Sequence, residues 1–284
     1  MFNSELANTV YDFASVMMPL SEKDLERDWI WRDHDSEGIR FAFFVTLQEL
    51  RQLAVTLASL RDRPTQAQHI LSQYHAAYMD LQAAVLGVSN TDAERTPAEG
   101  EWSVKQAYSH ILGTDLGFSA VIRYALERHR SYTWTPSRIP DEEYPRLYGL
   151  EEKQYDELMD SSLENMLSFH RELHLRILNE FMSISNQELD LPSTFWEETR
   201  FPIRHRLHRY EAHFAQHTVQ IDKTLDAIGL PPNESKQLLR KIYTALAEAE
   251  GHMIGAEKMD EAVIQAAASS ISNRAKEIRD TLRS

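Results

Sequence analysis

Twelve histidines and no cysteine define the chemistry open to this 284-residue chain. Without a thiol there is no disulfide framework, no thiolate zinc site and no cysteine nucleophile. What remains is the spacing of the imidazoles. His213 and His217 are four residues apart, and in a helix that puts both rings on one side with Cβ atoms about 6 Å apart. Two imidazoles so placed can converge on one ion, each at about 2.1 Å. His110 falls between Ala107 and Thr114 on a stripe that reads as the inward face of a second helix. Three neutral imidazoles from two helices would leave positions open for water and substrate, the catalytic rather than the closed structural arrangement.

His170 and His174 share the four-residue spacing, and twelve histidines in 284 positions give about half of such a pair by chance. Spacing alone therefore leaves both readings open for each pair: metal ligand, or satisfied core or surface histidine. His205 and His208 lie near a helix start among Arg204, Arg206 and Arg209 and read as solvated. Other site signatures are missing. There is no glycine-rich phosphate loop, no dinucleotide fingerprint and no nucleophile elbow, and the run His170-Arg171-Glu172-Leu173-His174 has its glutamate one position out of place for a zinc-protease motif.

The elements that must position these rings read as helices. Glycine and proline are few and clustered, and long segments between them carry apolar residues at three- and four-residue spacing, with almost no alternating β-branched runs. A first rod follows a Thr65/Gln68 capping box, with the seam Leu71, Tyr74, Tyr78, Leu81 and Val85. A second opens on a Ser103/Gln106 box, with Ala107, Ile111, Thr114, Phe118, Val121 and Ala125. A third follows Ser161/Glu164, with Leu163, Leu167, His170, Ile177 and Phe181. A fourth starts at Pro202, a residue suited to a first helical position, and carries Leu207, Tyr210, Phe214, His217, Ile221 and Leu225 to a stop at Gly229.

Residues 131–158 form a long proline- and aromatic-rich link, the length of a crossover or a functional loop; residues 186–201 form a second. Trp134 and Trp196 in these links read equally as pocket walls or as packing. Outside the four rods lie helical additions at residues 1–63 and 231–284, with faces Phe44, Leu47, Leu50, Leu53 and Leu57 at one end and Leu238, Ile242, Leu246, Val263, Ala266 and Ile271 at the other. The expected organisation is an addition at 1–63, a four-helix bundle at 64–230 and an addition at 231–284.

Composition narrows the partners. Thirty lysines and arginines against 44 acids leave a net charge of −14, which argues against nucleic acid or an anionic membrane surface. The hydrophobic fraction of 42% is enough for a proper core. The most apolar stretch, Phe41 to Leu47, is far short of the roughly 18 residues of a membrane helix. Met1 to Val10 has no basic run followed by an apolar one, so no secretory signal is visible, and the expectation is a soluble cytoplasmic protein.

Two runs carry a resemblance. Glu101-Trp102-Ser103-Val104-Lys105-Gln106-Ala107-Tyr108-Ser109-His110-Ile111 resembles the second-helix signature of the DinB-like (YfiT-type) family, a tryptophan-serine pair followed by a histidine. His213-Phe214-Ala215-Gln216-His217-Thr218-Val219-Gln220-Ile221 is similar to that family's fourth-helix signature, H-x-x-x-H-x-x-Q. The resemblance covers roughly residues 66 to 229. The resemblance implies an all-α four-helix bundle with a long crossover between helices 2 and 3. It also implies a divalent metal (zinc, nickel, iron or manganese) held by His110, His213 and His217. Gln220 is implied to serve the structure around that site and Trp102 to anchor the helix start, while His170 and His174 match no ligand position.

Characterised relatives of this kind are metal-dependent transferases and isomerases that use low-molecular-weight thiols such as bacillithiol or mycothiol. Here the thiol would have to come with the substrate. The resemblance thus implies a metal-dependent enzyme of thiol-transferase or hydrolase type acting on a small molecule; the alternative is a non-catalytic bundle that binds a small ligand or partner around a vestigial site. No residue beyond the three ligands is singled out as catalytic. Asp115 and Glu211 lie near them in sequence, which would let either orient a histidine ring, but neither is at three- or four-residue spacing from a ligand, and both read rather as solvated. The terminal additions are compatible with a homodimer face.

Overall fold

A computed structural model describes residues 5–283. Residues 1–4, which open both the 1–63 segment and the stretch read for a signal, and residue 284 lie outside the described residues. The described chain is all-α, as expected. Its helices in order are α1 (Glu5–Met17), α2 (Glu22–Leu25), α3 (Phe41–Leu60), α4 (Gln66–Ala84), α5 (Asn90–Ala93) and α6 (Val104–Ser131), followed by α7 (Tyr144–Tyr148), α8 (Glu152–Met159), α9 (Leu163–Phe181), α10 (Ile203–Ala227), α11 (Glu234–Gly251) and α12 (Glu261–Arg283). Two-residue strands β1 (Pro192–Ser193) and β2 (Phe201–Pro202) pair antiparallel just before α10. No described helix is long and apolar enough to cross a membrane.

The chain gathers into two compact units, one of residues 65–78 and 88–230, the other of residues 1–64, 79–87 and 231–284. The first holds the four-helix bundle of α6, α9, α10 and the first part of α4, with the long connection between the second and third rods. Three sequence signals act there as read. Thr65 and Gln68 exchange hydrogen bonds of 3.1 and 3.2 Å, and Ser103 and Gln106 do the same at 2.9 and 3.2 Å, so at each helix start the box satisfies two backbone N–H groups. The α10 seam of Leu207, Tyr210, Phe214, His217, Ile221 and Leu225 is buried throughout.

Two starts differ from expectation. The α9 cap is Ser162, accepting from the Asn165 N–H at 3.3 Å; Ser161 lies just past the C-cap of α8 and donates to the Leu158 carbonyl at 2.8 Å. Pro202 is in extended backbone as the N-cap, because it is the last residue of β2 opposite Pro192, and helical geometry begins at Ile203.

The crossover is tied down rather than loose. Ile139 and Leu147 pack with Ala120, Val121 and Tyr124 of α6, and Trp134, Tyr144, Tyr148 and Phe195 cover that cluster. Arg123 of α6 pairs with Glu180 of α9 at 2.7 Å and donates to the Leu147 carbonyl, so one guanidinium joins two rods and the link.

In the other unit the terminal segments come together as one body, with α1 against α12 and α3 against α11. Phe13 and Phe43 meet edge to face at 6.1 Å. The expected α3 face holds at Leu50, Leu53 and Leu57, which are buried; at the start of the helix Phe43 is in the core, Phe44 is half exposed and Leu47 is partly buried. On α11 the core residue is Leu239, with Leu238 half-buried, and on α12 Ala266 is exposed. Arg274 is fully buried, paired with Glu49 at 2.8 Å, bonded to Thr46 at 2.6 Å and lying 4.5 Å from the Trp31 ring.

Candidate metal centre

α6 and α10 run against each other, and their histidines meet. One ring nitrogen from each of His110, His213 and His217 lies within 4.8 Å of the others, a group that could hold a metal ion. Nε2 of His110 and Nε2 of His213 are 3.1 Å apart. Two nitrogens each about 2.1 Å from one ion, at the angles of an octahedral or tetrahedral site, stand roughly 3.0–3.4 Å apart. The ring centroids are 4.4–5.0 Å from one another.

The donors suit a cation in other respects. Burial, followed by the facing His217 and His110, pushes the His213 imidazole down to about 3, so it is neutral at physiological pH. Desolvation and His217 lower His110 in the same direction. Gln220, one turn beyond His217, places Oε1 2.7 Å from Nδ1 of that ring. An amide oxygen only accepts, so Nδ1 carries the proton and Nε2 is left with its lone pair. Nδ1 of His213 is buried with no hydrogen-bond partner.

Trp102, expected to anchor the start of α6, packs its ring on two of the histidines. It is 40% exposed, with its ring 5.2 Å from His110 and stacked at 6.3 Å over His217. It borders a cavity of about 1040 Å³ that also exposes His110 and His213. Glycines on α6 set the cavity's width. A Cβ at Gly113 would stand 3.0 Å from the Tyr155 hydroxyl, and one at Gly117 would stand 3.0 Å from Phe195 Cζ. Phe195 and Trp196 come from the β1–β2 turn, which Arg206 of α10 fastens through Ser193 at 3.1 Å and an ion pair with Glu197. Trp196 lines the cavity, whereas Trp134 packs on Tyr124 and His129.

A family model described as the DinB superfamily matches residues 73–221, just over half of the chain. The chain belongs to the DinB superfamily. The match covers all of α6 and α10 as far as Ile221, and so takes in all three histidines. No curated protein and no solved structure matches the chain at a significant level.

A second polar cluster in this DinB-superfamily bundle was not visible in the sequence. Asp115, expected to be solvated, is fully buried. Its Oδ2 accepts from the Tyr74 hydroxyl at 3.0 Å and lies 3.1 Å from His170 Nε2, while the Tyr108 hydroxyl is 2.8 Å from His170 Nδ1. His170 thus bridges Tyr108 and Asp115 through its two ring nitrogens. His174 is likewise buried, 2.9 Å from His75 and stacked at 3.7 Å on Tyr78. Both rings of the pair are thus packed inside the bundle and do not line the cavity. His205, read as solvated, is half-buried and stacks on Phe201 at 4.2 Å; His208 is exposed.

Proposed function

We propose that this chain is a divalent-metal-dependent enzyme in which His110, His213 and His217 hold the ion and the adjoining cavity takes a small-molecule substrate. The observation that carries this reading is three converging imidazoles, one of them kept neutral by its surroundings, beside a cavity of about 1040 Å³. When bound, a divalent ion would supply Lewis acidity, lowering the pKa of a thiol or a water. Thiol-transferase or hydrolase chemistry follows from that property, and with no cysteine in the chain the thiol arrives as substrate. Zinc, nickel, iron or manganese all suit an imidazole set with open positions.

The chain's own residues supply orientation and exclusion. Gln220 fixes the tautomer of His217, Trp102 covers two of the rings, and the aromatic turn at Phe195 and Trp196 walls the cavity against water. The test is to strip the protein with chelator and titrate zinc or manganese back. Turnover of an activated aryl halide with a small thiol, or of a nitrophenyl ester, is followed throughout. Activity is expected to return and saturate near one equivalent, and Gln220→Leu is expected to need about 10–100-fold more free metal. Turnover indifferent to metal would overturn the proposal.

A further inference from the structure

The cavity's charges are unequal in their commitments. Lys105 is taken up by Glu94 at 3.2 Å. Arg209 lines the cavity and makes no ion pair or hydrogen bond among the described residues. Its neighbours on α10 are engaged: Arg204 with Asp190, and Arg206 with Glu197 and Ser193. In a chain with 44 acids to 30 basic side chains, charge balance alone would readily supply a guanidinium with a partner. Arg209 is four residues before His213 and eight before His217, so it stands on the face of α10 that bears both rings.

The rest of the lining is aromatic. Trp102, Phe118, Tyr148, Tyr155, Phe195 and Trp196 present six rings to the same space. Tyr148 and Tyr155 stack at 5.6 Å, and Phe118 meets Phe195 at 6.0 Å. Trp196 is 74% exposed, a large apolar surface left uncovered, while its carbonyl is held by Arg138 at 2.7 Å. Rings of this kind reward a flat apolar body. A guanidinium fork matches a carboxylate with two parallel hydrogen bonds. The other carboxylate of the lining, Asp160, closes α8 on a different element and would repel an anion there.

We propose that the cavity binds an organic anion with a planar, apolar body, its carboxylate on Arg209 and its body among the aromatic rings. This deepens the reading of the cavity as a substrate site and rests on it. The recognition group is the guanidinium, not the histidine trio, and the two are separable by experiment.

The probes are 2-naphthoate and 2-naphthalenemethanol, which share a ring system and differ in charge. Binding to the full chain is measured by calorimetry and by quenching of tryptophan emission, before and after chelator treatment, with metal content determined on the same samples. Naphthoate is expected to bind at least tenfold more tightly than the alcohol, with or without metal. Arg209→Met, at an exposed position that the fold does not need, is expected to erase that advantage and leave the alcohol unchanged. Trp196→Ala is expected to weaken both ligands.

Equal binding of the two probes, binding of neither, or a naphthoate advantage that survives Arg209→Met would overturn the proposal. So would an advantage that disappears on chelation, because the carboxylate would then be on the metal. A chain that holds no metal but keeps the Arg209-dependent preference would defeat the enzyme reading and leave this one standing.

Discussion

Replacing Asp115 by alanine is expected to lower the unfolding free energy of the bundle by roughly 3–5 kcal/mol. The side chain is fully buried and is the shared acceptor of Tyr74 and His170. Burial raises its pKa, while the hydrogen bonds from His170 and Tyr74 act in the other direction. Alanine would leave a phenol and an imidazole buried without their acceptor, and each orphaned group carries a desolvation cost of about 1–3 kcal/mol. Asparagine retains an oxygen acceptor in the same place, and Asp115→Asn should cost about 1–2 kcal/mol. Urea unfolding followed by circular dichroism measures both. If the two variants lost equally little, under about 1 kcal/mol, the cluster would not be a structural element of the core.

Mild acid should also destabilise the bundle, and the sign follows from His174. Burial, then His75 and His170, hold this imidazole well below its ordinary 6.5. In the unfolded chain it titrates near 6.5. As pH falls below that value the unfolded state takes up a proton that the folded state refuses, so stability falls by up to about 1.4 kcal/mol per pH unit for each such group. His213 and, more weakly, His110 act in the same direction. Asp115 opposes them: its raised pKa lets the folded state protonate first, adding stability as pH falls through that value towards 3.8.

Urea midpoints at pH 7.5 and 6.5 should therefore differ little, and those at 5.5 and 5.0 should fall progressively. Three backgrounds separate the contributions. His174→Gln should reduce the slope by about one proton, and Asp115→Asn should remove the opposing component. A wild-type midpoint independent of pH over this range, or a slope unchanged by His174→Gln, would contradict the account.

What the residues reveal in advance depends on how local the information is. The rods of the bundle were legible from their periodic seams, most sharply where a cap joins the seam, as Ser103, Gln106 and the stripe from Ala107 to Ala125 do, because both signals act within one helix. Single-residue detail at the helix starts was beyond reach: Ser162 rather than Ser161 caps α9, and Phe43 rather than Phe44 faces the core at the start of α3. Those choices are made by the preceding turn and the opposing helix.

The histidine trio was accessible from spacing and resemblance because two members share a helix. The Asp115–His170–Tyr74–Tyr108 cluster was not, since its members come from three helices and only tertiary packing joins them. Arg209 escaped notice for a similar reason. Nothing in its own neighbourhood distinguishes it from Arg204 and Arg206, and only their partners do.

The central claim is that the three histidines form a metal site, and elemental mass spectrometry of the untagged chain tests it most directly. Wild-type protein and the variant with alanine at His110, His213 and His217 are compared after incubation with zinc, nickel or manganese and removal of free ion. The account predicts about one ion per wild-type chain and none in the triple variant, with both remaining helical by circular dichroism. Metal-free wild-type protein under all three conditions, or equal metal in both proteins, would contradict it.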